Sequence, residues 1–320
     1  MHYRLCDYVI DSELPLAELN SATAPGRETI TLRRGPAVTP NQSDHEWFHE
    51  WRYPDGELWT SFAYTPGGYV CRFADIADFH LNDTGNTIVC RPVAGIPDGT
   101  LSHIFLNQVM PIVFSATGDR LILHSSAVAI GGQVIGFLGP TGQGKSTLAG
   151  SFCGAGFPLL TDDFLVLEDA GGGVQAVPTF GGLRLWDDVI SAVAETAINA
   201  PDVAHYTDKK RICLGEYDLP FCNEPLPMKR FYLLEDDDSA AGSDVMFRRV
   251  SAREAVMEFT RYSFYLDLSA GAVRQTEFER VGQLAAAVPV YRLSYPRDLR
   301  QLETVREKIL RHLDGEAVSN

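Results

Sequence analysis

The sequence predicts an α/β chain in two parts: a β-rich first domain with a connecting helix, residues 1–115, and a second domain, residues 116–320, built around a glycine loop. Three observations carry this. Gly139-Pro140-Thr141-Gly142-Gln143-Gly144-Lys145-Ser146-Thr147 fits G-x-x-x-x-G-K-[ST] at every fixed position. An apolar run, Val134 to Leu138, precedes it as a buried strand, and Leu148 to Cys153 follow it as a helix. Before residue 100 the chain is a series of short alternating or β-branched runs with turn residues between them.

Taken in order, the first strands are expected at Tyr3 to Ile10, Thr29 to Arg33, Glu46 to Tyr53, Glu57 to Tyr64, Gly68 to Phe73 and Thr87 to Arg91. Pro54-Asp55-Gly56, Pro66-Gly67-Gly68, Asn82-Asp83 and Gly85-Asn86 are the turns. Leu101, Ile104, Phe105, Val109, Ile112 and Val113 keep helical spacing, so Leu101 to Ala116 is a helix, capped by Thr100 or Asp98. Leu121 opens a strand that runs through His124 to Ile130, and Gly131-Gly132-Gln133 turns it into the strand before the glycine loop. Phe157 to Leu160 is a strand ending at Asp162-Asp163, continued by Phe164 to Leu167. Later strands are expected near Val174 to Val177, Arg211 to Leu214, Phe231 to Glu235, Met246 to Val250 and Val290 to Leu293. Later helices are expected at Asp187 to Asn199, Ala252 to Ser263, Glu277 to Val288 and Leu299 to Leu313. Glu235 to Gly242 reads as a solvated acidic loop.

Composition narrows the function classes. With 27 Lys+Arg against 42 Asp+Glu, the formal net charge of −15 argues against non-specific nucleic-acid binding, which needs a basic footprint. No apolar run has the length of a membrane span. The start, Met1 to Cys6, turns polar too early for a secretory signal. The six cysteines contain no C-x-x-C pair and fall partly in apolar runs, as buried free thiols do, so a cytoplasmic location is expected.

The glycine loop has a direct chemical reading. Its glycines let backbone N–H groups curl around an anion, and the helix N-terminus adds partial positive charge. Gly139, Thr141, Gly142, Gly144, Lys145, Ser146 and Thr147 are therefore the candidate nucleotide-binding residues. Lys145 would reach the β- and γ-phosphates, and the Ser146 hydroxyl would ligate Mg²⁺. Asp162-Asp163 supplies acid at a strand end, where phosphoryl transfer needs a carboxylate for the metal and another to orient or deprotonate the acceptor. From base rates alone His124 reads as a core residue. Lys209-Lys210-Arg211 is either a solvated face or a clamp on the transferred group. Gly181 to Trp186 is either a tight turn or backbone placed near a ligand. His45-Glu46-Trp47-Phe48-His49 matches H-E-x-x-H literally, but the alternation around it is that of a hairpin strand, and a zinc pair needs a helix.

The ordered set of His124-Ser125-Ser126-Ala127, Gly139 to Thr147 and Asp162-Asp163 resembles the HPr kinase/phosphorylase catalytic domain and, more distantly, the ATP-dependent phosphoenolpyruvate carboxykinases. The resemblance covers about residues 116–315. It implies a P-loop kinase domain that uses ATP and Mg²⁺. Asp162 is then the aspartate that takes the proton from an acceptor serine. Asp163 joins Ser146 on the metal side, His124 lies near the transferred group, and Arg211 matches a later catalytic arginine. The glycine-rich signature that follows Asp-Asp in bifunctional HPr kinases is absent, and Gly181 to Trp186 stands there instead. The whole-chain layout is similar to HPr kinase-related proteins of peptide-maturation clusters, among them lasso-peptide kinases, which phosphorylate a serine at the precursor's C-terminus. The resemblance therefore implies a peptide or protein partner bearing an acceptor serine, and a homo-oligomer. Three other readings stand beside it: a kinase of HPr or another folded protein, a small-molecule phosphotransferase of the carboxykinase kind, and a non-catalytic nucleotide-gated binding module.

Overall fold

A computed structural model describes residues 1–39, 45–53, 55–116, 120–193, 199–235, 244–265 and 271–315, with backbone alone at 271–274. The protein is mixed α/β and rich in sheet. Its contacts divide it into two compact units: Met1–Thr117 with Asp202–Asp208, and Gly118–Pro201 with Lys209–Asn320.

The first unit contains β1 (His2–Leu5), β2 (Tyr8–Ser12), β3 (Thr29–Arg34), β4 (Trp47–Arg52), β5 (Leu58–Thr65), β6 (Gly68–Phe73), β7 (Ala77–Asn82) and β8 (Thr87–Pro92). They form one sheet in the order β1-β2-β3-β8-β7-β6-β5-β4. The single strand expected from Tyr3 to Ile10 is a hairpin, turned at Cys6, whose φ is 51°. β7 was not anticipated, although Ala77, Phe79 and Leu81 alternate inward along it. Its Asp78 takes two 2.7 Å hydrogen bonds from Arg72 on β6, so a buried carboxylate is neutralised within the sheet. Trp47 and His49, inside the literal H-E-x-x-H stretch, lie on the edge strand β4 and not on a helix.

The connecting helix starts earlier than expected. It runs as α1 (Asp98–Ile104), a π-helical turn (Phe105–Val109) and α2 (Met110–Ala116). Pro97 precedes it, and no side chain caps it, so the capping role expected of Thr100 or Asp98 is not filled. Asp98 instead pairs with Arg34, and Thr100 hydrogen-bonds His205 at 3.1 Å. Leu101, Ile104, Phe105, Val109 and Ile112 are all fully buried, which is what their spacing demanded.

The second unit contains β9 (Leu121–Leu123), β10 (Ser126–Ile130), β11 (Gln133–Leu138), α3 (Lys145–Gly154), β12 (Leu159–Thr161), β13 (Leu165–Asp169), β14 (Val174–Val177), β15 (Gly182–Leu185) and α4 (Asp187–Val193). β16 (Asp202–Ala204) goes with the first unit, and β17 (Thr207–Cys213) begins there and passes to the second at Lys209. Then come β18 (Leu226–Leu234), β19 (Met246–Arg249), α5 (Ala252–Tyr262), α6 (Gly271–Ala287), β20 (Val290–Ser294) and α7 (Leu302–Leu313). The acidic stretch from 236 to 242 and the end of the helix expected through 199 (194–198) lie outside the described residues.

The main sheet runs β12-β10-β11-β18-β14-β13-β9, with β20 also pairing with β18. β11, β18 and β20 are parallel. The β10–β11 hairpin turns through Gly131 and Gly132 at φ 56° and 77°, a left-handed pair that glycine adopts without Cβ strain.

Two strands expected to be continuous are broken. From Leu121 to Ile130 the chain forms two strands: β9 pairs with β13, whereas β10 pairs with β11 and β12. At the break the His124 N–H leaves the ladder and donates to Tyr262 O at 2.6 Å. Ser125 Oγ donates to Phe137 O at 3.0 Å. The second break is at Asp162-Asp163, where Asp163 takes φ 74° and the chain passes from β12 to β13. Gly181 to Trp186, read as either a tight turn or backbone near a ligand, contains β15, which pairs with β17.

α7 is pinned to the sheet by its last turn. His312 stacks on Phe247 of β19 at 4.1 Å and meets Tyr291 of β20 edge-on at 4.5 Å. Arg230 of β18 donates to the His312 carbonyl at 2.8 Å, and Tyr232 Oη lies 3.0 Å from Nδ1. Burial, and then the Arg230 charge, lower the His312 pKa from 6.5 to about 4. The fold therefore favours neutral imidazole. That contribution is complete above pH 6.5 and is lost as pH falls from 6.5 through about 4. His312→Phe keeps the stacking but cannot protonate. It should lose less unfolding free energy between pH 7 and pH 4.5 than wild type, as measured by urea denaturation. Equal losses in the two proteins would mean that His312 does not contribute.

Candidate active site

Strand, loop and helix are joined as the sequence suggested. β11 ends at Leu138, residues 139–144 form the loop, and α3 starts at Lys145. Gly139, Gly142 and Gly144 take φ 151°, 86° and 81°. Gly144 is the N-cap of α3 and has no side chain to offer, so the first amides of the helix stay directed at the loop. Thr141 is exposed, while Ser146 and Thr147 are half-buried in the first turn. Lys145 is folded back, and its Nζ donates to Gly139 O at 2.8 Å and to Pro140 O at 3.1 Å. Burial lowers its pKa from 10.5 to about 8.

The two chain breaks meet beside this loop. Asp162 is completely buried, and its Oδ1 accepts from Ser126 Oγ at 2.6 Å and from Ser146 Oγ at 2.9 Å. Its Oδ2 accepts from the Arg184 backbone N–H at 3.2 Å. Burial, and then the charge of Asp163, raise the Asp162 pKa against the opposing pull of Arg184 and the two hydroxyls. Asp163, turned by its left-handed backbone, is 23% exposed and forms an ion pair with Arg184 Nε at 3.2 Å. His124 stands at the other break and hydrogen-bonds the Asp163 backbone. Burial, followed by the charge of Lys145, lowers its pKa to about 4, so the imidazole is neutral at physiological pH.

Lys145, Ser146, Asp162, Asp163 and His124 are thus one cluster. Within it the two aspartates have different surroundings. Asp162, expected to take the acceptor's proton, is sealed from solvent and already accepts three hydrogen bonds. Asp163, expected on the metal side, is the more exposed of the two.

Arg211 lies on β17 directly opposite Arg184 of β15, so the two side chains share a face. Its Nε is buried without a hydrogen bond. Two residues along, on the same face, is Lys209, whose charge lowers the pKa of both Lys145 and His124. Lys209 also covers the exposed Trp186 ring, 5.6 Å from its centroid.

Sequence reasoning did not select Ser126, Arg184 or Lys209 individually. Ser126 stands next to the His124-Ser125 break, and a hydroxyl in an otherwise apolar strand was the available signal. Arg184 is 3% exposed, and a cation between Leu183 and Leu185 signals a buried carboxylate partner.

No family model matches the sequence, and no curated protein matches it. Among solved structures, the HPr(Ser) kinase/phosphatase from Coxiella burnetii is similar at 13% identity and a TM-score of 0.33, over 61% of this chain and 93% of that one. The likeness is distant, and the functional reading rests on the geometry of the cluster.

A Cβ on Gly144 would lie 2.9 Å from Tyr295 Oη and 3.1 Å from Arg297 Nη1, at a φ of 81°. Gly144→Ala should therefore cost about 1–3 kcal/mol in urea denaturation and weaken MgATP binding at least tenfold in calorimetry. Unchanged binding would show that this loop does not hold the ligand.

Proposed function

We propose that the protein is an ATP-dependent phosphotransferase that moves the γ-phosphoryl group to a hydroxyl, with a peptide serine as acceptor. The observation that carries this reading is the hydrogen bond between Ser146 of the glycine loop and buried Asp162, with the more exposed Asp163 beside it.

The donor set fits Mg²⁺. Ser146 Oγ and an Asp162 oxygen are 2.9 Å apart, two hard ligands of the kind that hold Mg²⁺ together with substrate phosphates and water. Bound there, the ion would neutralise charge on the β- and γ-phosphates. Lys145 then exchanges its carbonyl partners for phosphate oxygens, which stabilises its ammonium form against the effect of burial. We assign the two carboxylates the reverse of the roles implied by the family resemblance: Asp162 to the metal side and Asp163 to the acceptor. The acceptor hydroxyl donates to Asp163, and its oxygen attacks the γ-phosphorus. The bond to the β,γ-bridging oxygen breaks and ADP leaves, while the proton passes to the Asp163 carboxylate. Neutral His124 holds the Asp163 backbone, and Lys209 and Arg211 supply positive charge on the face that the transferred group crosses.

Asp163→Asn should lower turnover roughly 10²- to 10⁴-fold and leave MgATP affinity within about threefold. Asp162→Asn should instead raise the Mg²⁺ concentration needed for half-maximal binding. Lys145→Ala should remove both binding and turnover. Mass spectrometry of peptides ending in serine, after incubation with ATP, measures turnover. Wild-type turnover in Asp163→Asn would refute the exchanged assignment.

A further inference from the structure

His45, from the literal H-E-x-x-H stretch, meets His80 of β7, with ring centroids 6.4 Å apart, and stands edge-on to Trp47 at 5.6 Å. Ala77, Phe79 and Leu81 of β7 turn to the core, so Asp78 and His80 belong to the other face of the sheet. Asp78 pairs in register with Arg72 of β6 and with Arg91 of β8, and residues opposite one another share a face. Trp47 of β4 joins them, because the Arg72 guanidinium lies over its ring, 5.0 Å from the centroid. One face of the first unit thus gathers His45, Trp47, Arg72, Asp78, His80 and Arg91.

The polar groups on this face are not all matched. Arg72 and Asp78 satisfy each other through two 2.7 Å hydrogen bonds and cancel in charge. Arg91 is half-buried, and its Nε is sealed from solvent without a hydrogen bond. Among the described residues no carboxylate pairs with it. His80 Nε2 is also sealed and hydrogen-bonds nothing. Burial lowers the His80 pKa, and the charge of Arg91 adds to this against the opposing pull of Asp78, so the imidazole is neutral at physiological pH and Arg91 is close to it. Two buried donors on neighbouring strands therefore lack an acceptor, which is rare in a folded protein and calls for a cause.

An oxyanion would satisfy both, accepting from the guanidinium and from the Nε2–H of the neutral imidazole. One guanidinium without a carboxylate partner matches one negative charge, which fits a carboxylate and not a phosphate dianion. The rings of His45 and Trp47 beside it offer surface to a peptide chain that a free carboxylate would leave uncovered. We propose that this face of the first unit binds an acidic peptide segment, with one of its carboxylates held by Arg91 and His80. The proposal does not depend on the phosphotransferase reading.

The test is a nuclear magnetic resonance titration of the full chain labelled with ¹⁵N at histidine. The His80 imidazole signal is identified by its loss in His80→Phe. The probes are the capped tripeptide Gly-Glu-Gly, its Gly-Gln-Gly counterpart, acetate and inorganic phosphate. The Glu peptide should shift the His80 signal saturably, and each of the other three should bind at least tenfold more weakly. Arg91→Gln keeps the stem that runs along Gly35 and removes the charge. It should weaken the Glu peptide at least tenfold, the loss of a charge-assisted hydrogen bond, and leave the urea midpoint unchanged or higher, because the arginine has no partner to lose. No shift with the Glu peptide, or undiminished binding in Arg91→Gln, would overturn the proposal. So would equal or tighter binding of the Gln peptide, acetate or phosphate. A lowered urea midpoint in Arg91→Gln would make the arginine a brace of the sheet and overturn it as well.

Discussion

The buried carboxylate of Asp162 is the constraint on which the site depends. A carboxylate taken out of water is destabilised by several kcal/mol unless donors replace its hydration. Here the donors come from three separate elements: Ser126 on β10, Ser146 on α3 and the backbone of Arg184 on β15. Satisfying one charge therefore fixes the glycine-loop helix, the hairpin that leads into it and the neighbouring small sheet in mutual register. The hydroxyl of Ser146 is aimed by the same bond.

The two strand breaks explain why a histidine and two aspartates, far apart in sequence, share a corner. Residues 121–130 and 159–169 each begin on one side of the main sheet and end on another, and they cross at His124-Ser125 and Asp162-Asp163. The backbone at each break has left the ladder, and at the first of them Tyr262 O takes up the His124 N–H. Asp163 adopts a left-handed conformation at the second, tolerated by aspartate better than by most residues. The strain sits where the chemistry is proposed.

Much of this was legible in the sequence, and the failures have identifiable physical causes. The glycine loop, its strand and its helix could be read because the constraint is local: glycines for the turn, an apolar run before, a helix after. The breaks at His124 and Asp162 could not, because the polar runs His124-Ser125-Ser126 and Thr161-Asp162-Asp163 are short and only pairing with distant strands reveals the change of partner. β7 was missed although Ala77, Phe79 and Leu81 alternate with Asp78 and His80: the run is short, and the Arg72 that lets Asp78 be buried lies on another strand. The contrast between Asp162 and Asp163 is equally non-local. Adjacent identical residues differ because the hydroxyls of Ser126 and Ser146 and the Arg184 N–H converge on Asp162, while the Arg184 guanidinium pairs with Asp163.

Residues 202–208 belong with the first unit although they follow the glycine loop in sequence, and His205 within them bonds Thr100. The polypeptide thus crosses between the units at three places, so the first unit is discontinuous in the gene. A single cut near residue 116 would release a fragment that lacks β16. Dissecting the two units by truncation, or exchanging one between homologous proteins, would require an excision or graft that respects all three crossings.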